Sequence, residues 1–285
     1  MRATKGVYYA PARVNAQDRA AVAQNAMAEH RLRAIAVASV PNHFSGTVLS
    51  HASAAAIHGL PMLKPALQQV HLTNGEQGGG RRRASSIVHA SELLPGDVVE
   101  VAGISVTSLA RTAADIAQAE AATHRLAFAK ALTVFDAALR AGVDAASLAM
   151  QLERRRRCDT RVAKTALAWA NPKAESVGES WGRAQMIQAS LPVPELQVKH
   201  VIGTKRYLVD GEWDGKLVWE FDGFFKYGRS LQPGETIADA VWREKQREDA
   251  LRALGLMIIR AYWSMLEQGT MVPIIMRWLD HFHLR

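Results

Sequence analysis

The dipeptide Asp214-Gly215, set between two apolar runs, constrains the fold of this chain more than any other feature. Asp-Gly suits the left-handed positions of a tight hairpin turn. With a turn over 211–215, it makes Tyr207-Leu-Val-Asp210 and Leu217-Val-Trp-Glu-Phe221 antiparallel partners. A helix is expected before them over 176–189, ended by Leu191-Pro-Val-Pro194, followed by a strand over 197–201. A loop is expected from Gly223, then a charged amphipathic helix over 237–254 with Gly255 as its C-cap. Leu256-Met-Ile-Ile-Arg260 reads as a last buried strand. Helix, hairpin, strand, helix and strand make a mixed α/β layer architecture.

The sequence upstream has a different texture. A strand is expected at Gly6-Val-Tyr-Tyr9, an Ala-rich helix over 16–38, and a short helix after Ser50, its N-cap, that stops at Gly59. Strands are expected at Val70-His-Leu-Thr73, Ile87-Val-His89, Val98-Val-Glu-Val101 and Ile104-Ser-Val-Thr107. The segment 75–86 reads as a loop. Helices follow over 108–118, 120–141 and 144–157, with a short one reaching Trp169. Asn171-Pro172 breaks the chain, and six of the seven tryptophans lie beyond it. At 285 residues, two domains suit the length, 1–170 as an α+β unit and 171–285 as the α/β unit.

Charge follows the same division. Residues 1–170 hold 20 Lys+Arg against 12 Asp+Glu, and residues 171–285 hold 15 of each, so the whole net charge of +8 falls in the first part. Such a surplus attracts polyanions, and it equally keeps a soluble protein apart by self-repulsion. No apolar run reaches the roughly 18 residues of a membrane span, and no apolar signal core follows Met1. Cys158 is the single cysteine, which excludes an internal disulfide and a cysteine-rich zinc site. A cytoplasmic protein with no membrane partner is expected.

The chemistry concentrates in the second part. Glu220 and Asp222 alternate with Phe221 in an apolar strand and so point to one side, while Asp210 ends the partner strand nearby. Three carboxylates are expected to converge, an arrangement that calls for a cation. Oxygen-only donors suit Mg²⁺ or Mn²⁺, which polarise a phosphoryl oxygen and acidify a bound water. Surface charge is the competing reading. Glu175 and Glu179 share a helix face, with Arg183 one turn beyond as an ion-pair partner for Glu179.

Glu175-Ser-Val-Gly-Glu179-Ser-Trp-Gly-Arg183, Leu191-Pro-Val-Pro-Glu-Leu-Gln197, Tyr207-Leu-Val-Asp210, Glu220-Phe-Asp-Gly223 and Arg247-Glu-Asp-Ala-Leu251, with Gly255 and Arg260, stand in the order of a bacterial domain of unknown function. That domain resembles the very-short-patch-repair (Vsr) endonuclease of the PD-(D/E)xK nuclease superfamily. The resemblance spans about 174–263. It implies a restriction-endonuclease-like fold, metal ligation by Asp210 and Glu220, and support from Glu179. Asp222 stands where the superfamily has Lys, and Lys226 where related domains commonly carry His. Lys226 is thereby a candidate to hold the attacking water or screen phosphate charge.

Ser50-His-Ala-Ser-Ala-Ala-Ala-Ile-His-Gly-Leu-Pro61, Val70-His-Leu-Thr73 and Gly103-Ile-Ser-Val-Thr-Ser-Leu-Ala-Arg-Thr-Ala-Ala-Asp115 resemble the AbiEi-type antitoxin of abortive-infection toxin–antitoxin systems. This implies a cognate toxin as partner. In that family a winged helix-turn-helix precedes the strand matched by Gly6-Val-Tyr8, so the expectation is that only its wing is present here. The combined expectation is a metal-dependent DNA endonuclease attached to an antitoxin-like regulatory domain. The rival is a non-catalytic regulator that uses a nuclease-like fold to bind DNA or a partner protein. Arg81, Arg82 and Arg83, and Arg154, Arg155, Arg156 and Arg157, are the candidate phosphate contacts. A zinc site from His51, His58, His71 and His89 is one reading, but no carboxylate or Cys accompanies them, so packed or surface histidines are the preferred one.

Overall fold

Asn171-Pro172, where proline removes a backbone donor and fixes φ, is followed by the division of the chain into Met1–Pro172 and Lys173–Arg285. The expected boundary fell two residues earlier. The computed structural model describes residues 2–4, 7–8, 19–39, 46–76, 78–119, 124–154, 159–223 and 236–285. Lys226, Arg155, Arg156 and Arg157 lie outside the described residues.

In the first unit, β1 (Arg2–Thr4) pairs with β2 (Val7–Tyr8). Next come α1 (Arg19–Ala38), β3 (Val48–Leu49), α2 (His51–His58), β4 (Val70–Gly75), β5 (Arg81–Arg82), β6 (Ser86–Glu92), β7 (Val98–Val101) and β8 (Ile104–Thr107). Four helices complete it, α3 (Leu109–Ala119), α4 (Ala127–Arg140), α5 (Ala145–Glu153) and α6 (Arg161–Trp169). Strands β3 to β8 form one mixed sheet in the order β5-β6-β4-β3-β8-β7. Its core joins Ala34 and Val37 of α1 and Ala54 and Ile57 of α2 to Leu49, Val70, Leu72 and Val106. Ser50 stands at the N-cap of α2, but its hydroxyl meets His51 Nδ1 (3.0 Å) and makes no capping bond. Gly59 ends that helix at φ 72°, a conformation that suits glycine.

Two expectations for this unit need correction. The segment 75–86 is not all loop, because Arg81 and Arg82 pair with Val88 and Ile87 as an edge strand. Of the helix expected over 120–141, residues 120–123 lie outside the described residues, 124–126 form a turn, and the helix begins at Ala127. Arginines rarely signal a strand, and here neighbouring β6 supplies the pairing that propensity does not.

The second unit runs α7 (Val177–Gln188), β9 (Glu195–Ile202), β10 (Lys205–Trp213), β11 (Leu217–Phe221), α8 (Ile237–Ala253), β12 (Met257–Ala261), α9 (Trp263–Gln268) and α10 (Met271–His281). Its sheet has the order β12-β11-β10-β9, antiparallel except for the parallel β11–β12 pair. The hairpin turn is tighter than expected. Asp214 (φ 51°) and Gly215 (φ 62°) both take left-handed conformations, and Trp213 pairs with Leu217. The fold class is therefore mixed α/β, as the pattern implied.

Helices cover both faces of this sheet. On one, Gly182 of α7 lies so close to β11 that a Cβ there would overlap the Trp219 ring, and one at Gly178 would overlap Phe221. On the other, Leu251 of α8 packs with Val209, Val218, Leu256 and Ile258. A capping box between Thr236 and Asp239 starts α8. Helices α9 and α10 are not anticipated by the sequence pattern. Among the described residues no helix is long and apolar enough to cross a membrane.

Candidate active site

The β10–β11 ladder reaches Gly211–Trp219, and the pairing ends just short of the acidic residues. Beyond it the Phe221 N–H donates to the Asp210 side chain (Oδ2, 2.8 Å), so a carboxylate stands in for a ladder carbonyl. On β9 the residue flanking this point, Gln197, has φ 53°, a left-handed conformation that costs a non-glycine residue about 1 kcal/mol or more. Its Nε2 lies 3.5 Å from Glu179 Oε2. A cleft of about 320 Å³ opens here, lined among others by Glu175, Gln197, Asp210, Glu220 and Asp222, and by Arg243 and Arg247 of α8 and Arg260 of β12.

Helix α7 places Glu179 by two local devices. Ser176 Oγ caps the helix by accepting from Glu179 N–H (3.1 Å), and Glu179 Oε2 accepts from Glu175 N–H (2.8 Å). The two glycines let the helix approach β11 closely enough to bury Glu179. Burial first, and then the negative charge of Asp210, push its carboxyl up to about 7 despite the bonds from Glu175 N–H and Ser176.

Glu220 is 2% exposed, and Arg247 holds it by both oxygens, Nη1 at 3.1 Å from Oε2 and Nη2 in closer contact with Oε1. Arg260, paired with Glu220 across β11–β12, bonds Glu244 (2.6 Å), Glu248 (3.0 Å) and Asp222 (3.4 Å). Asp210, Glu220 and Asp222 all line this one cleft. Guanidinium groups neutralise Glu220 and Asp222 where a cation was expected. Arg247 and Arg260 stand in the family-like motifs, yet their positions in sequence carried no sign that they face the acids.

The arginine candidates divide similarly. Arg81, Arg82 and Arg83 are exposed. Arg154 is taken up by buried Asp97, with Nη2 at 2.8 Å from Oδ2 and Nη1 at 3.1 Å from Oδ1, so it serves the fold. Arg111 (3.2 Å) and Gln151 (2.8 Å) complete that network. Burial works to raise the Asp97 pKa, but the bonds from Arg154, Leu94 N–H and Gln151 outweigh it and hold the carboxyl low.

A second cluster lies in the first unit. Among the described residues, the set of three metal-capable side chains with donor atoms mutually within 4.8 Å is His51, His71 and His89. Asp115 Oδ2 is 3.9 Å from His51 Nδ1. The reading of these histidines as unaccompanied is thus corrected, since a carboxylate 64 positions from His51 arrives through α3. His58 stands apart, bonded to Thr107 O (2.8 Å).

Comparison with known proteins finds two uncharacterized proteins of Mycobacterium tuberculosis, from strains CDC 1551 / Oshkosh and ATCC 25618 / H37Rv. Each is 32% identical over 186 residues, a stretch that spans 63% of this chain and 64% of the relative. No family model matches the chain, and no solved structure matches it.

Proposed function

We propose that residues 171–285 are a metal-dependent DNA endonuclease domain of PD-(D/E)xK type, attached to an AbiEi-like regulatory domain over 1–170 and acting in the cytoplasm. The observation that carries this reading is the placement of buried Glu179 on α7 beside Asp210 of β10, where burial first and then the Asp210 charge push its carboxyl up to about 7. Glu179 and Asp210 repel each other, and Asp210 lines the cleft with Glu175, Glu220 and Asp222, a set of oxygen donors that suits a hard divalent cation. The element order α7-β9-β10-β11-α8-β12 and its mixed sheet support the same reading.

Asp210 and Glu179 fit Mg²⁺ or Mn²⁺ as oxygen donors, whereas Glu220 fits only once Arg247 releases it. When bound, such an ion supplies positive charge to a phosphodiester and acidifies water. The chain's own contribution is to hold Asp210 through Phe221 N–H, to orient Glu179 through Glu175 N–H, and to set Arg243 and Arg260 where phosphate would enter. Lys226 remains the candidate for screening the scissile phosphate. The test is cleavage of supercoiled plasmid with Mg²⁺ or Mn²⁺. Wild type should nick it and Asp210→Asn should not, while equal nicking by both defeats the assignment.

The Arg247–Glu220 pair favours a second reading, a regulator that keeps the nuclease-like fold to bind DNA or a toxin without cutting. Absence of cleavage together with retained DNA binding would select it.

A further inference from the structure

We propose that His51, His71 and His89 form a transition-metal site for Zn²⁺, separate from the acidic cleft, that ties α2 to the six-stranded sheet. The sheet register brings two of the ligands together. His71 pairs with Ile87 and Thr73 with His89 across parallel β4 and β6, which makes His71 and His89 diagonal neighbours on one face. Their Nδ1 and Nε2 atoms are 3.0 Å apart. Ligands on a tetrahedral ion with bonds of about 2.0–2.1 Å stand roughly 3.3 Å apart, so this pair needs to open only slightly.

His51 arrives from another element. It is the first residue of α2 and has φ 49°, a strained conformation that turns its ring onto the sheet. The ring stacks on His89 with centroids 3.8 Å apart and lies 5.5 Å from His71. Its Nδ1 meets Ser50 Oγ (3.0 Å) and faces Asp115 Oδ2 (3.9 Å), so coordination would run through Nε2 once the ring swings out of the stack. A carboxylate behind a metal-bound imidazole is a common orienting arrangement. Arg111 Nε holds Asp115 Oδ1 at 3.1 Å, which fixes that carboxylate.

The electrostatics favour neutral ligands. Burial first, then the neighbouring His89, His30 and Arg82, push His71 down to about 4, with Asp115 acting the other way. Three imidazoles with no thiolate suit zinc or cobalt better than Mg²⁺, which prefers oxygen donors. With three protein ligands, the fourth position falls to water or to Asp115.

The test uses the full chain, stripped with chelator and titrated with Co²⁺ in excess Mg²⁺, so that the acidic cleft is occupied by a spectroscopically silent ion. Wild type and Asp210→Asn should each take up one Co²⁺ with the visible bands of a four-coordinate ion, and one equivalent of Zn²⁺ should displace it. His71→Gln and His89→Gln should each abolish the bands, and Zn²⁺ should raise the melting temperature of wild type and Asp210→Asn but of neither histidine variant. Far-UV circular dichroism of the stripped variants controls for folding. His51→Gln should weaken binding at least tenfold, a further check if either sheet variant fails to fold. Absence of stoichiometric Co²⁺ binding in wild type, or bands that persist in His71→Gln or His89→Gln, overturns the site. Loss of binding in Asp210→Asn alone also overturns it, by placing the ion in the cleft.

Discussion

Arg247 grips Glu220 through both carboxylate oxygens and also donates to Leu208 O (2.7 Å), joining α8 to β10 and β11 at the floor of the cleft. Glu220 is buried, so removing its partner leaves an uncompensated charge. Arg247→Ala should therefore destabilise the protein by about 3–5 kcal/mol in urea unfolding without divalent ions. If a cation can take the place of the guanidinium, Mn²⁺ should restore part of that loss and bind Arg247→Ala more tightly than wild type. Unchanged stability would show that the pair contributes little, and equal Mn²⁺ affinity would remove Glu220 from the metal assignment.

Glu179 gives a pH signature whose sign is fixed. Its folded pKa of about 7 lies above the ordinary 4.5, so the folded state holds the proton more tightly than the unfolded chain. The stabilisation is fully present below pH 4.5 and lost as pH rises through 7, a change of roughly 3 kcal/mol. Glu179→Gln should flatten that decline. Mg²⁺ or Mn²⁺ bound beside it should release protons near pH 7, measurable by calorimetry in buffers of differing ionisation enthalpy. A wild-type stability that rises between pH 5 and 7 with the same slope in Glu179→Gln would refute the assignment.

What the sequence made legible was local. The Asp214-Gly215 turn, the α7 helix with Ser176 before it, and the last strand all rest on short-range chemistry that survives folding. Asp210 and Glu220 could be singled out because acids in or beside apolar strands need a reason, and Glu179 by its spacing from Glu175 and the motif that holds it. The partners of those acids could not be read. Arg247 lies 27 positions from Glu220, and a charged helix looks like any solvated face until the sheet beneath it is known. The histidines could be named together, but their convergence depends on a β4–β6 register and on a helix start that strains His51, which the sequence does not display. Gln197 stood in a recognisable motif, but its left-handed backbone left no mark in sequence.

The same distance between motif and reason applies to Gly182. The motif contains two glycines four apart, and the structure explains them by the Trp219 and Phe221 rings packed against α7. Gly182→Ala should cost about 1–3 kcal/mol through overpacking, although alanine is the better helix former. Shrinking the ring in the double variant Gly182→Ala/Trp219→Phe should recover part of the loss relative to Trp219→Phe alone. Thermal melting of the four proteins measures this coupling. A stabilising Gly182→Ala would mean that α7 can lift from the sheet without penalty.

Of the candidate arginines among the described residues, Arg81, Arg82 and Arg83 are the exposed group left for a polyanion once Arg154 is assigned to Asp97. Arg81 and Arg82 lie on edge strand β5, where successive side chains leave opposite faces, so a duplex laid along the edge would meet them unequally. Phosphate contacts of this kind carry no base information and respond steeply to salt. The expected behaviour is weak, sequence-tolerant DNA binding. Its log–log salt dependence should flatten by about 0.9 for each phosphate contact removed in the Arg81→Ala/Arg82→Ala/Arg83→Ala variant. Fluorescence anisotropy with two unrelated duplexes over a salt series measures both properties. Because all three side chains are exposed, the melting temperature should stay near that of wild type, separating loss of contact from loss of fold. An unchanged slope in the triple variant would move the DNA-binding face elsewhere, and tight binding to one duplex with a shallow slope would require base contacts that these arginines cannot supply.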